Sequence, residues 1–147
     1  MTKRTTFSIL VIVLVLVGIG GFMLFSERAA APVLPVGDAA TVPVLALPVP
    51  GTASKSPLQV AGIAPGNWYF EASFPIELRT KDGQVILGAA PAHATDDWMT
   101  AKPVHFSTTI SFKITKKTEA LIVLKNDNPS GDPARDKSYE VPVTLLP

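Results

Sequence analysis

The chain has 147 residues, 47% of them hydrophobic, with 13 Lys and Arg against 12 Asp and Glu and no cysteine. That length allows one ordinary domain, and the missing cysteine excludes a disulfide framework, a thiolate metal site and lipid attachment through a lipoprotein cysteine. From Ser56 to Pro147 seven Lys and two Arg face six Asp and four Glu, a net charge of −1, which gives no electrostatic footprint for nucleic acid.

Residues 1–27 read as a membrane anchor. Phe7 to Phe25 carries no charge, and at about 1.5 Å per helical residue it covers roughly 28 Å, the thickness of a hydrocarbon core. Lys3 and Arg4 precede it while Glu27 and Arg28 nearly cancel after it, so the positive-inside rule predicts a cytoplasmic N-terminus and an exported remainder. A cleaved signal peptide is the competing reading, because Ala29-Ala30-Ala31 satisfies a small-x-small processing rule. The apolar run is longer than the roughly 7 to 15 residues of a signal core, which favours a retained single span. Residues 28–55 then read as an extended linker, with Pro32, Pro35, Pro43, Pro48 and Pro50 too close together for a helix or a regular ladder. The alternative reading makes Val42 to Leu47 an extra edge strand.

Residues 56–147 carry strand patterns. Leu58 to Ile63 is a first strand, closed by Pro65-Gly66-Asn67. In Trp68 to Arg79, Trp68, Phe70, Ala72, Phe74, Ile76 and Leu78 share one parity, the period of two that buries one face of a strand. Pro75 lies on the other face and predicts an edge or a bulge. Lys81-Asp82-Gly83 is a hairpin turn into Gln84 to Ala89, and Pro91 to Pro103 is a loop. Val104 to Ile114 alternates strictly, Glu119 to Leu124 is apolar enough for a sheet centre, Asn126 to Lys137 is a polar loop, and Tyr139 to Leu145 is a last strand with Pro142 suggesting an edge. These short strands predict an all-β, immunoglobulin-like antiparallel β-sandwich with Phe70, Phe74, Phe106, Ile110, Phe112, Ile122 and Leu124 as its core.

Ser56-Pro57-Leu58 with Val60-Ala61-Gly62, Tyr69-Phe70-Glu71-Ala72, Asp82-Gly83, the Pro103 to Phe112 strand and Val141-Pro142-Val143-Thr144-Leu145 resemble the immunoglobulin-like domain of bacterial spore germination. Members of that family are exported envelope domains, so the resemblance implies an extracytoplasmic module of the cell envelope.

Chemistry-bearing residues are few. His93, His105, Ser107 and Ser111 are the residue types of a nucleophilic triad, but no Gly-x-Ser-x-Gly elbow accompanies them, and solvated histidines are the simpler account. Asn126, Asp127, Asn128, Asp132 and Asp136 could offer oxygens to Ca²⁺; their spacing does not fit an EF-hand, and a polar connection is the plainer reading. The loop with Asp96, Asp97, Trp98 and Met99 is the candidate partner-binding surface, because an aromatic in a long connection suits a glycan or protein contact, although Trp98 could instead plug the end of the sandwich. The sequence thus predicts a non-enzymatic, membrane-anchored module without cofactor or metal. It would bind an envelope protein or cell-wall polymer, with a passive spacer as the alternative and a hydrolase least favoured.

Overall fold

Eight strands organise residues 41–147, the part of the chain described by the computed structural model. They are β1 (Val44–Leu47), β2 (Ala53–Ser54), β3 (Leu58–Pro65), β4 (Ser73–Thr80), β5 (Ile86–Ala94), β6 (Pro103–Ile110), β7 (Thr118–Lys125) and β8 (Ser138–Leu145), with short 3-10 turns at Gly66–Trp68 and Pro133–Arg135. The anchor and the first part of the linker lie outside the described residues. Among the described residues no helix is long and apolar enough to cross a membrane.

All eight strands belong to one hydrogen-bonded sheet in the order β1-β3-β6-β5-β4-β7-β8-β2. Laid flat, eight strands would separate β1 from β2 by about 33 Å, at ~4.8 Å per step. Yet β1 and β2 are joined only through Pro48 to Thr52, a connection that spans at most ~22 Å fully extended and is tightened by a Thr52 N–H bond of 3.1 Å to the Val49 carbonyl. The sheet must therefore curl, and it forms a half-barrel.

The separate sheets of a sandwich are replaced by this continuous ladder. β5 and β6 share only two rungs, His93↔Ser107 and Ala94↔Phe106, next to the loop that joins them. Beyond those rungs the strands diverge into two leaves, β1-β3-β6 and β5-β4-β7-β8-β2, which bury one cluster between them. Phe74 of β4 and Phe106 of β6 meet across it edge to face at 5.0 Å, and Trp68 and Tyr69 pack on Phe74 at 6.2 and 5.0 Å. Ile76, Leu78, Ile110, Ile122, Leu124 and Leu145 extend the cluster toward the far end.

Three expectations need correction. First, the strand at Trp68 to Arg79 begins only at Ser73. Phe70 and Ser73 exchange backbone hydrogen bonds of 3.0 and 3.1 Å around Glu71 and Ala72, whose φ angles of 50° and 61° make a turn of the type I′ pattern. That turn ejects Phe70, which is 41% exposed, and admits Tyr69, buried with its hydroxyl donating to the Val104 carbonyl at 2.9 Å. Phe112 is likewise only half-buried.

Second, Pro75 lies on an interior strand, paired on both sides, and the irregularity in the β4–β5 ladder falls between Leu78 and Arg79 rather than at Pro75. It faces Pro91 across the β4–β5 ladder, and two residues without N–H groups can oppose each other only at a non-hydrogen-bonded position. Their missing donors point away from each other, toward positions where neither outer ladder has begun, since the β4–β7 pairing starts only at Ile76 and the β5–β6 pairing only at His93. Pro142 does lie near an edge, since β2 reaches only Thr144 and Leu145 of β8.

Third, the end of the expected linker is part of the sheet. Val44, Leu45 and Leu47 pair with Ile63, Gly62 and Ala61, and Ala53 and Ser54 run parallel to Thr144 and Leu145. The edge-strand alternative describes Val44–Leu47, and β5 likewise takes Pro91 to Ala94 from the expected loop.

Candidate functional site

The strands define two poles. At the loop pole lie the ends of β3 and β5, the start of β6, and the long connections 95–102 and 126–137; β1 also starts there, since Val44 pairs with Ile63. At the turn pole lie the β4–β5 hairpin, the β6–β7 connection and the end of β8.

Connection 95–102 is held down along its length. Thr95 N–H donates to the His105 carbonyl at 2.9 Å, and the Asp96 carboxylate accepts from the His105 N–H at 3.3 Å and pairs with His105 Nδ1 at 2.5 Å. The His105 hydrogen bonds, the ring's first and the backbone's second, hold the Asp96 carboxyl below the usual carboxylate range. Asp97 Oδ1 accepts from Met99 N–H at 3.1 Å, and Thr100 N–H donates to the Trp98 carbonyl at 2.8 Å. Gly66 lets this segment seat against the end of β3, because a Cβ there would stand 2.0 Å from the Thr100 carbonyl oxygen.

This geometry separates the four candidate residues. Asp96 and Asp97 shape the loop, Trp98 is half-buried against the core, and Met99 projects outward at 76% exposure. Phe70 is exposed at the same pole, on a turn whose Ala72 carbonyl accepts from Ala94 N–H at 2.9 Å just before the loop. Parity placed Phe70 in the core because neither Glu71 nor Ala72 is a residue that announces positive φ.

The second connection is likewise self-contained. Asn128 Nδ2 donates to Asp136 Oδ1 at 2.7 Å and to the Asp132 carbonyl at 2.8 Å, while Asp132 Oδ1 caps Ala134 N–H at 3.0 Å. Asn126 Oδ1 accepts from Lys137 N–H at 2.6 Å, and Asp127 N–H ties the loop to the Trp68 carbonyl at 2.9 Å. The oxygens considered for Ca²⁺ are thus partly engaged in holding their own loop. Among the described residues neither His93 nor His105 bonds a serine hydroxyl; His93 stands opposite Ser107 in the ladder, and Ser111 follows β6 toward the turn pole. Burial, and secondarily the Asp96 charge, raises the Tyr69 phenol well above its ordinary value, so it serves as a neutral donor. On the outer face, Glu77 binds Lys125 Nζ at 2.7 Å and Arg79 Nε at 2.6 Å and clasps β4 to β7; these bonds, Lys125's first, lower its pKa.

The family model for the immunoglobulin-like domain of bacterial spore germination matches residues 44–132, beginning at the first residue of β1. No curated protein and no solved structure matches the chain.

Proposed function

From the premise that the chain belongs to the family of the immunoglobulin-like domain of bacterial spore germination, we propose a membrane-tethered, extracytoplasmic interaction module that meets an envelope protein or wall polymer through connection 95–102. A family of immunoglobulin-like domains supports a non-enzymatic reading of this module. The observation that carries the interaction surface is the pairing of a fixed loop with an exposed side chain: Asp96, Asp97 and Gly66 hold the backbone, and Met99 stands out from it. A fixed loop loses little conformational entropy on binding, and methionine adapts its shape to apolar partners.

A photoreactive residue at Met99 in cells tests this reading. It should yield a discrete adduct that the same group at Tyr139 does not, and Met99→Ser should reduce co-purification of the adduct partner without moving the melting temperature. No adduct at either position is the outcome expected of a passive spacer. Trp98→Ala is the poorer probe, since its half-buried ring also supports the fold. The tether is tested separately: external protease on spheroplasts should cut within residues 28–43 and release the domain, and a domain protected until lysis overturns its extracytoplasmic placement.

A further inference from the structure

Near-neutral net charge conceals an uneven distribution. Lys55, Lys81, Lys113, Lys116 and Lys117 all lie at the turn pole and are all exposed. The ladder brings them there from separate segments. Lys81 N–H bonds the Glu119 carbonyl at 3.2 Å, Ser56 Oγ accepts from Phe112 N–H at 3.0 Å, and Thr118 pairs with Leu145 beside Ser54. Among the described residues, Asp82 and Glu119 are the side-chain carboxylates on the same connections as these lysines or next to them. Asp82 is bound to Thr80 Oγ1 and Gln84 N–H in its own turn, and Glu119 accepts from Thr144 Oγ1. None of the five lysines makes an ion pair among the described residues, and neither do Lys102 and Lys137 at the loop pole, whereas Arg79, Lys125 and Arg135 each pair with a carboxylate.

We infer that the turn pole is a docking surface for a polyanionic wall polymer, one with a phosphodiester in each repeat. Five unpaired ammonium groups on short, fixed turns match a flexible chain of regularly spaced single charges, because each is a compact cation that needs no defined ligand geometry. The placement favours a wall polymer over the bilayer. The lysines come from three separate connections, before β3, between β4 and β5 and between β6 and β7, so their charges are spread over the pole, which suits a chain of spaced phosphates, rather than gathered along one amphipathic element of the kind that lies on a bilayer. The inference rests on the extracytoplasmic placement proposed above, but not on Met99 or its loop. Val85 and Ile86, each 53% exposed on the neighbouring hairpin, add apolar contact; aliphatic groups beside lysines also suit a lipid surface, which makes lipid the discriminating arm of the test.

The full chain in phosphatidylcholine nanodiscs is acetylated with acetic anhydride, and the rate at each lysine is read by mass spectrometry with and without poly(glycerol phosphate). The polymer should slow Lys113, Lys116 and Lys117 several-fold and leave Lys102 and Lys137, at the loop pole, unchanged. The triple variant Lys113→Gln, Lys116→Gln, Lys117→Gln should bind the immobilised polymer at least about tenfold more weakly at ~50 mM salt, and wild-type binding should itself fall steeply toward ~200 mM. Equal protection of Lys102 and Lys137, no protection at all, or protection obtained merely by exchanging phosphatidylcholine for phosphatidylglycerol overturns the proposal. Because the measurement is made on purified protein, its failure is distinct from a failure of the protease experiment that tests placement.

Discussion

The two poles differ in the length of their connections, in the core beneath them and in how many lysines they gather. At the loop pole the connections are long, and Asp96, Asp97, Asn126, Asn128 and Asp132 are each bonded to a backbone or side-chain partner. Beneath them sits the aromatic part of the core, Trp68, Tyr69, Phe74 and Phe106. At the turn pole the core is aliphatic, with Leu58, Leu78, Ile110 and Leu145, and the lysines have no ion-pair partners among the described residues. The difference teaches that a charged residue becomes structural when a neighbouring strand delivers a partner to it. Where no carboxylate is delivered, as at Lys113, Lys116 and Lys117, the charge stays in solvent.

The sharpest way to break the comparison is through the aromatic cluster. Phe74→Ala should cost ~3–5 kcal/mol by denaturant unfolding of the full chain, because it removes the ring on which Trp68, Tyr69 and Phe106 all pack. Phe70→Ala, four residues away on the same parity, should change stability by less than about 0.5 kcal/mol. Equal losses at the two positions would show that the positive-φ turn at Glu71 and Ala72 does not form.

Truncation tests whether β1 and β2 belong to the domain. A fragment that begins at Ser56 lacks both edges of the sheet and exposes the paired side of β3. It should melt well below a fragment that begins at Thr41, and indistinguishable melts would return residues 41–55 to the linker.

Two glycines contrast the poles at smaller magnitude. Gly66→Ala should destabilise by ~1–3 kcal/mol, since the new methyl must push the Thr100 carbonyl and its loop aside. Gly83 at the opposite hairpin has open space around it but a φ of 72°, so Gly83→Ala should cost only about 1 kcal/mol of backbone strain. Thermal melts of the pair check the order, and a larger loss at Gly83 would reverse it.

The smallest effect is one of pH. The folded pKa of Asp96 lies below its ordinary value, so its bond to His105 contributes at any pH above the ordinary carboxylate value near 4 and is lost as pH falls through the lower folded value. Both side chains are 53% exposed, which keeps the contribution small. Asp96→Asn should therefore melt slightly below wild type at neutral pH, and the gap should close under acid conditions. A gap that widens in acid would remove the Asp96–His105 bond from the account of how the loop is held.

Local pattern determined much of this protein. The alternation in Val104 to Ile110, the Asp82-Gly83 hairpin and the apolar run of β7 are properties of neighbouring residues, and sequence reads them directly because side-chain direction repeats every two residues. The family resemblance was legible for the same reason, being carried by strand and turn motifs. Tertiary structure alone decided the rest. Whether Phe70 faces in or out depends on a turn whose residues do not favour it, and whether Val44–Leu47 is linker or strand depends on the free edge of β3. The gathering of lysines from separate turns is of the same kind. A net charge sums over the chain, whereas a surface potential depends on which turns the sheet brings to one end, and residues as distant as Lys55 and Lys117 become neighbours only when β2, β8 and β7 pair.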